Sequence, residues 1–130
     1  MQKSIINPWQ WQDQLGYAQA IEIPHSTHTL YCAGQAAMDA DGRPVETDMS
    51  GQINLSFDNL ETVLQQANYS LANVVRLNFY TTSLEQFFAS YGQVMGRLAA
   101  VGCAPASTLT EVKALAFPQL MVEIEATAVK

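Results

Sequence analysis

Charged residues are scarce in this chain, and basic residues are the scarcest of them. Of 130 residues only 14% are Asp, Glu, Lys or Arg, with 12 acidic and 6 basic side chains and a formal net charge of −6. Soluble proteins average roughly 25% charged residues. A few scattered cations cannot neutralise a run of phosphates, so the composition argues against nucleic acid as a partner.

The low charge also suggests that part of the surface does not face water. A subunit interface covers area that would otherwise need solubilising side chains, and charged residues are depleted at the centre of such interfaces. An oligomer is therefore favoured over a monomer. The length is that of one ordinary domain, and we treat residues 1–130 as a single unit.

Long hydrophobic runs and patterned cysteines are also missing. No apolar stretch approaches the ~18 residues of a membrane span, and the start MQKSIINPWQWQ lacks the apolar core of a signal peptide. Cys32 and Cys103 stand far apart and form no metal-ligand pattern with a second Cys or His. These absences predict a cytoplasmic protein with no membrane partner, no metal site and two buried free thiols.

What the sequence does contain is clear periodicity. Alternating apolar and polar residues predict strands, and apolar residues at steps of three and four predict helices. The predicted strands cover residues 17–23, 28–33, 74–80, 105–112 and 120–129, and the predicted helices cover residues 51–68 and 83–102. The economical packing is an α+β domain with two helices on one face of a mixed sheet.

Few residues outside these elements suggest an active site. The sequence has no nucleotide loop, metal-ligand cluster or nucleophile elbow. His25 and His28 fall in a turn-like stretch and fit solvated turn residues better than catalysts. Trp9 and Trp11 fit an anchor for the N-terminal arm better than a cofactor site.

A pair of glutamates is more informative. Glu123 and Glu125 lie two apart on the last predicted strand, so both point away from the face of Val122 and Ile124. Such a pair is solvated if its face meets water, and it needs partners or a task if another subunit covers that face. The pattern alone leaves both interpretations open.

The run PASTLTEV, residues 105–112, raises a similar question. As a strand it places Ser107, Leu109 and Glu111 on one face, with Thr108 and its alternate neighbours on the other. A mostly uncharged, hydroxyl-bearing face could serve chemistry or packing. The answer depends on what else the chain resembles.

Several stretches together resemble the RidA/YjgF family. They are GYAQA (16–20), YCAGQAAMDADGRPV (31–45), FDNLETVLQQA (57–67), LANVVRLNFYTTSLEQFFASYG (71–92), the PAS and TEV of residues 105–112, and VEIEATAV (122–129). The resemblance implies a chorismate-mutase-like α+β fold in a homotrimer, whose sheets form a central barrel with clefts between neighbouring subunits. In the well-studied branch these clefts hydrolyse 2-imino acids to 2-keto acids and ammonia, without cofactor or metal.

The resemblance also assigns site residues. Glu123 matches the glutamate that positions the attacking water and is the candidate catalytic residue. The candidate substrate-binding residues are Tyr17 (in LGY, where the family has GPY), Cys32, Gly34 and Gln35 in the turn that offers backbone groups to the ligand, Tyr91 at the cleft edge, and Ser107 and Leu109 on the PASTLTEV strand.

Ser107 is the departure from the family pattern, which has an arginine here that grips the substrate carboxylate. A charge-assisted hydrogen bond contributes roughly 1.5 to 3 kcal/mol, and serine cannot replace the charge. We therefore expect clefts that bind, and in one hypothesis hydrolyse, a neutral or cationic molecule with a carbonyl, imine or enamine group. The alternatives are a non-catalytic ligand-binding or chaperone-like trimer, an endoribonuclease, and an ordinary imino-acid deaminase.

Overall fold

The computed structural model of the protein describes residues 2–130. Six strands and three helices follow one another along the chain: β1 (Ser4–Ile6), β2 (Ala20–Glu22), β3 (Thr29–Ala36), α1 (Met49–Gln66), β4 (Val74–Thr81), α2 (Leu84–Ala89), α3 (Tyr91–Ala99), β5 (Ala106–Glu111) and β6 (Val122–Val129). Short 3-10 helices cover Trp11–Leu15 and Leu71–Asn73. The predicted α+β class is confirmed.

The main sheet has four strands in the order β3-β6-β4-β5. The β4 and β5 strands run parallel, and the other neighbours are antiparallel, so the sheet is mixed as predicted. This order leaves β3 at one edge of the sheet and β5 at the other.

A second, two-stranded sheet was not predicted. Strand β2 lies within the predicted strand of residues 17–23 and pairs with β1, which the sequence pattern did not indicate. Strand β1 is only three residues long and exposed throughout, so it carries no alternation that a sequence pattern could reveal.

The core lies between the main sheet and α1. Asp48 caps this helix by accepting a hydrogen bond from the Gly51 N–H at 2.9 Å. Its apolar stripe is fully buried and packs on the sheet side chains Leu77, Phe79, Ile124 and Ala126; the stripe consists of Ile53, Phe57, Leu60 and Leu64. The predicted amphipathic helix is thus confirmed, with its first residue at Met49.

The second predicted helix is two helices. Ser83 caps α2 by accepting from the Gln86 N–H at 3.2 Å, as the capping pattern predicts. Ser90 then interrupts the helix with φ −109° and ψ 12°, and α3 begins at the next residue. Serine is a weak interior helix residue because its hydroxyl competes for backbone groups. Gly102, at φ +63°, ends the segment as expected.

The sheet has one covered and one uncovered face. Along β6 the residues Val122, Ile124, Ala126 and Ala128 are buried on the helix side, and Glu123, Glu125 and Thr127 on the other side are only half-buried. This alternation confirms the predicted orientation of Glu123 and Glu125. We call the uncovered side the open face; it carries Tyr31, Arg76, Asn78, Tyr80, Thr108, Glu123, Glu125 and Thr127. Within residues 2–130 no helix is long and apolar enough to cross a membrane.

Candidate functional site

Four of the predicted site residues meet in one pocket on the helix side of β5. The cavity has a volume of about 130 Å³ and is lined by Leu15, Tyr17, Phe79, Phe88, Tyr91, Ser107 and Leu109. We call it the aromatic pocket. No lining residue carries a charge.

The chain before β2 closes this pocket from one side. Ala18 forms a parallel bridge with Ala106, and its N–H donates to the Pro105 carbonyl at 3.1 Å, which holds Tyr17 beside β5. The Tyr91 hydroxyl donates to the Leu15 carbonyl at 2.6 Å and so links α3 to the same segment. Gly16 makes the intervening turn at φ +78°, where only glycine is unstrained.

Ser107 and Leu109 form the β5 wall of the pocket. They pair in register with Leu77 and Phe79 of β4, and the Ser107 hydroxyl donates to the Leu77 carbonyl at 2.6 Å. Thr108 lies on the open face, where its hydroxyl accepts a hydrogen bond from Arg76 at 2.7 Å. Strand β5 thus presents Ser107 to the pocket, next to apolar side chains, and presents its threonines to the open face.

Three other predicted residues meet in a second pocket at the far side of the sheet. Gly34, Gln35 and Glu123 line a cavity of about 140 Å³ with Ala36, Met38, Ala116, Phe117 and Leu120. We call it the glutamate pocket.

A β-bulge shapes this second pocket. Cys32 pairs with Ala126 and Gln35 with Ile124, so β3 has one extra residue at this point. A Cβ on Gly34 would lie 2.7 Å from Glu123 Cδ, too close for any side chain unless the carboxyl group moved. Glycine in the bulge is therefore what allows Glu123 to lie against the β3 backbone.

The two pockets lie at opposite edges of the sheet. Ser107 and Leu109 are on edge strand β5, Gly34 and Gln35 are on edge strand β3, and Glu123 is on the strand next to β3. Three strand spacings of roughly 4.8 Å separate the edges, or about 14 Å. One copy of the chain therefore brings Glu123 to Gly34 and Gln35 but not to the residues of the aromatic pocket, because two strand spacings, or roughly 10 Å, separate β6 from β5.

Cys32 belongs to the core through its side chain, so only its backbone could meet a ligand. Burial raises the pKa of the Cys32 thiol above its ordinary value and that of Cys103 to about 11. Both thiols are free and buried, as predicted. Neither is activated as a nucleophile, because the thiolate is the reactive form.

Glu125 sits in a hydrogen-bond network on the open face that sequence reasoning missed. The Tyr80 hydroxyl donates to its carboxylate at 2.5 Å, and the Asn78 side-chain amide donates to the same oxygen at 3.1 Å. The hydrogen bond from Tyr80 holds the pKa of the Glu125 carboxyl below its usual value, and the same bond raises the pKa of Tyr80. The β4 alternation could have placed Asn78 and Tyr80 on this face, but not opposite Glu125.

This network predicts a pH-dependent contribution to stability. Because the folded state lowers the pKa of Glu125, its carboxylate contributes stability at pH values above the ordinary pKa of 4.5, and this contribution is lost as pH falls through the folded pKa. Because the folded state raises the pKa of Tyr80, its hydroxyl contributes stability at pH values below the ordinary pKa of 10.0, and this contribution is lost as pH rises through the folded pKa. We expect Tyr80→Phe to lower the free energy of unfolding near neutral pH, and we expect that difference to shrink at both extremes.

Urea unfolding at about pH 3, 7 and 11 measures this difference. Tyr31→Phe is the matched control, since Tyr31 lies on the same face with 81% of its surface exposed. A Tyr80→Phe effect of equal size at all three pH values would contradict the assignment.

The remaining candidate residues lie on the surface. His25 and His28 are exposed, as predicted. Trp9 and Trp11 stack on each other with 6.5 Å between ring centroids, yet they keep 56% and 59% of their surface exposed and stay outside the core. Among residues 2–130 no three His, Cys, Asp or Glu side chains come together as a metal site would require.

Comparison with known proteins identifies relatives over most of the chain. Residues 12–130 match the family model described as endoribonuclease L-PSP. A RutC family protein of Pyrococcus horikoshii is 30% identical over 118 residues, which cover 88% of this chain and 86% of that protein. The mitochondrial protein Mmf1 of Saccharomyces cerevisiae is 28% identical over 71 residues, 55% of this chain, and the match spans 47% of that relative's length.

Solved structures agree. The crystal structure of YyfB from Yersinia pestis, a protein of unknown function in the Rid family, has a TM-score of 0.87 and 35% identity over 100% of both chains. The YjgF gene product of E. coli has a TM-score of 0.72 at 22% identity, covering 88% of this chain and 87% of that one, and shows the shared fold. The chain therefore belongs to the endoribonuclease L-PSP family, that of the RidA and YjgF proteins.

Proposed function

We propose that the protein is a homotrimer whose clefts, one at each junction between neighbouring subunits, bind and hydrolyse an uncharged imine or enamine. The observation that carries the proposal is the position of the two pockets at opposite edges of the sheet. In a head-to-tail ring, one edge of each subunit meets the other edge of the next. Such a ring joins the aromatic pocket of one copy to the glutamate pocket of its neighbour.

The exposed apolar side chains support this assembly. Trp9, Trp11, Phe88 and Phe117 are among the large side chains that a single copy leaves open to water, and Tyr31 is the most exposed of them. Apolar surface of this kind marks interaction sites. The low charge content of the sequence points the same way.

Glu123 is the group that would carry the reaction. A water molecule on its carboxylate attacks the imine carbon, and Glu123 takes one water proton and passes it to the nitrogen, so that a neutral carbinolamine forms. Glu123 then takes the proton of the new hydroxyl group and passes it to the nitrogen as the C–N bond breaks, so that ammonia leaves and a carbonyl compound remains. The buried thiols take no part.

The uncharged substrate follows from the lining of the aromatic pocket. In the family pattern an arginine binds the substrate carboxylate, and at the matching position this chain has Ser107. No residue that lines the pocket supplies a positive charge. An anionic imino acid would therefore leave its solvation shell without gaining an ion pair.

A second candidate function is ligand binding without turnover. The absence of an arginine at the position of Ser107 also favours this candidate, because a chain that has lost one catalytic contact can keep the architecture without the activity. The ribonuclease activity in the family's description is a weaker candidate. Arg97 is paired with Asp58 and Glu61, and the sequence has 12 acidic against 6 basic residues, which disfavours a phosphate backbone as a ligand.

We also propose a cytoplasmic location, because two free buried thiols fit a reducing compartment. The yeast relative Mmf1, in contrast, is mitochondrial.

The test is complementation between two inactive variants. Glu123→Gln disables the glutamate pocket, and Leu109→Trp fills the aromatic pocket. If each cleft takes one pocket from each of two subunits, trimers reassembled from an equal mixture contain about one quarter intact clefts, so about a quarter of wild-type activity returns. Light scattering on each variant and on the mixture checks for a trimer.

The assay supplies imines through a flavin-dependent amine oxidase acting on propylamine or benzylamine. Semicarbazide traps the imine that the protein has not hydrolysed. Full activity in one variant, or no recovery in the mixture, would sink the shared cleft. Ligand binding with no hydrolysis of either imine would favour the second candidate.

A further inference from the structure

Two of the three hydroxyl groups that line the aromatic pocket donate hydrogen bonds to backbone carbonyls. Ser107 donates to the Leu77 carbonyl and Tyr91 to the Leu15 carbonyl, each at 2.6 Å. Both oxygens therefore present lone pairs to the cavity. Burial raises the pKa of Tyr91, so its proton stays in place at neutral pH. An anion in this pocket would face these lone pairs and one remaining hydroxyl, that of Tyr17.

The nearby cations point elsewhere. Arg76 lies on β4 beside the pocket strand, but its guanidinium extends over the open face to Thr108. Arg97 on α3 is held by Asp58 and Glu61. Nothing in residues 2–130 brings a positive charge to the lining of the pocket.

Further aromatic rings adjoin the residues that line the pocket. Tyr17 meets Trp11 edge to face, with 6.3 Å between ring centroids, and Trp9 stacks on Trp11. Phe88, with 54% of its surface exposed, has its ring centroid 6.2 Å from that of Tyr91. Exposed rings that border an apolar cavity offer stacking surface to a flat ligand.

The cavity volume fits one ring. An apolar cavity of roughly 150 Å³ is known to bind benzene, and the aromatic pocket has a volume of about 130 Å³. A saturated chain could fill the same volume, but it would not use the edges and faces of Tyr17, Tyr91 and Phe88.

We propose that the aromatic pocket is a subsite for an uncharged aromatic ring, so that the ligand of the protein is a neutral aromatic carbonyl compound or the imine derived from it. The link from the ring to a reacting C=N group rests on the proposed function; the binding of the ring does not. Trp11, which packs on the pocket residue Tyr17, offers a stacking surface to the part of the ligand that extends from the pocket.

Intrinsic fluorescence measures ring binding, because the chain has two tryptophans, of which Trp11 packs on the pocket residue Tyr17 and Trp9 stacks on Trp11. The probes are acetophenone, which is neutral, and benzoate, which carries the same ring and a negative charge. We expect acetophenone to quench the emission beyond the collisional quenching of free N-acetyltryptophanamide, with at least tenfold higher affinity than benzoate. Ser107→Arg should reverse this preference.

Two apolar substitutions provide the matched comparison. Phe88→Ala should weaken acetophenone binding roughly three- to tenfold, since it removes a ring from the pocket. Val101→Ala shortens an exposed apolar side chain that lines neither pocket and should leave the affinity unchanged. Benzoate binding as tightly as acetophenone, or equal losses in the two variants, would overturn the subsite.

Probe binding and imine turnover by the wild-type protein separate this inference from the proposed function. If the wild type binds acetophenone and hydrolyses neither imine, the subsite stands and the hydrolase fails. If the propylamine-derived imine is hydrolysed as fast as the benzylamine-derived one and acetophenone does not bind, the hydrolase stands and the subsite fails.

Discussion

Glu123→Gln is expected to lower the rate of imine hydrolysis by about 10²- to 10⁴-fold, the range typical of a positioned acid-base group. The amide keeps the size of the side chain and cannot accept the proton of the attacking water. We expect the fold to be unaffected, because Glu123 is half-buried and forms no hydrogen bond or ion pair with residues 2–130. Initial rates with the propylamine- and benzylamine-derived imines, together with the melting temperature, measure both effects.

Glu125→Gln is the control for this prediction. It lies two residues away on the same face of β6, bound by Tyr80 and Asn78. The Glu125→Gln variant should be less stable near neutral pH and should hydrolyse imines at the wild-type rate. If instead Glu125→Gln hydrolysed imines slowly and Glu123→Gln kept the wild-type rate, the roles of the two glutamates would be exchanged.

Gly34→Ala tests the position of the Glu123 carboxyl group without changing its chemistry. The added Cβ would press on the end of a flexible side chain, so the cost in stability is small but the carboxyl group must move. A displacement of about 1 Å can cost about a hundredfold in rate. Gly92→Ala in α3 meets nothing within 4 Å and should leave the rate unchanged.

Ser107→Arg is expected to raise the hydrolysis of 2-aminoacrylate by about ten- to a hundredfold in kcat/KM. The wild-type protein should exceed the buffer rate only a few-fold. The reasoning is that Tyr17, Gly34 and Glu123 are already present, so that the missing contribution is a carboxylate anchor worth ~1.5 to 3 kcal/mol. The imine is generated in place by a serine lyase, and ammonia or pyruvate formation is followed.

The structure defines both the room for this arginine and its cost. The side chain would enter the cavity of about 130 Å³ beside Tyr17 and Tyr91, whose faces suit a guanidinium. It would also remove the hydrogen bond to the Leu77 carbonyl. Overpacking would cost ~1 to 3 kcal/mol and would show as a lower melting temperature.

Ser107→Met is the matched uncharged control, since it adds a long side chain at the same place. An equal gain in Ser107→Met would show that filling the pocket, not the charge, raises the rate. Brisk turnover of 2-aminoacrylate by wild-type protein would show that another group binds the carboxylate.

Features that depend on neighbouring residues could be predicted from the sequence. Alternation along residues 120–129 placed Glu123 and Glu125 opposite Val122 and Ile124, and the structure has them so. The spacing of apolar residues located α1, and Ser83 and Gly102 marked the ends of the next helical segment. The direction of a side chain depends on the local backbone, so a short stretch of sequence is enough to predict that direction.

Which elements are neighbours became clear only from the folded chain. Strand β2 pairs with β1 and not with β3, and β3 and β5 lie at opposite edges, which separates Glu123 from Ser107. Alternation tells which way a residue points but not which strand lies beside it, because pairing between distant segments depends on the packing of the whole core.

The register of neighbouring strands also determined the hydrogen-bond partners of Ser107 and Glu125. The sequence placed Ser107 on one face of its strand, and the parallel register with β4 put the Leu77 carbonyl within 2.6 Å of its oxygen. The sequence likewise placed Glu125 on the open face, and the antiparallel register with β4 brought Tyr80 and Asn78 to it. A hydrogen bond between strands needs both backbones in place, so a donor's partner is decided by the register of the sheet and not by the residues around the donor.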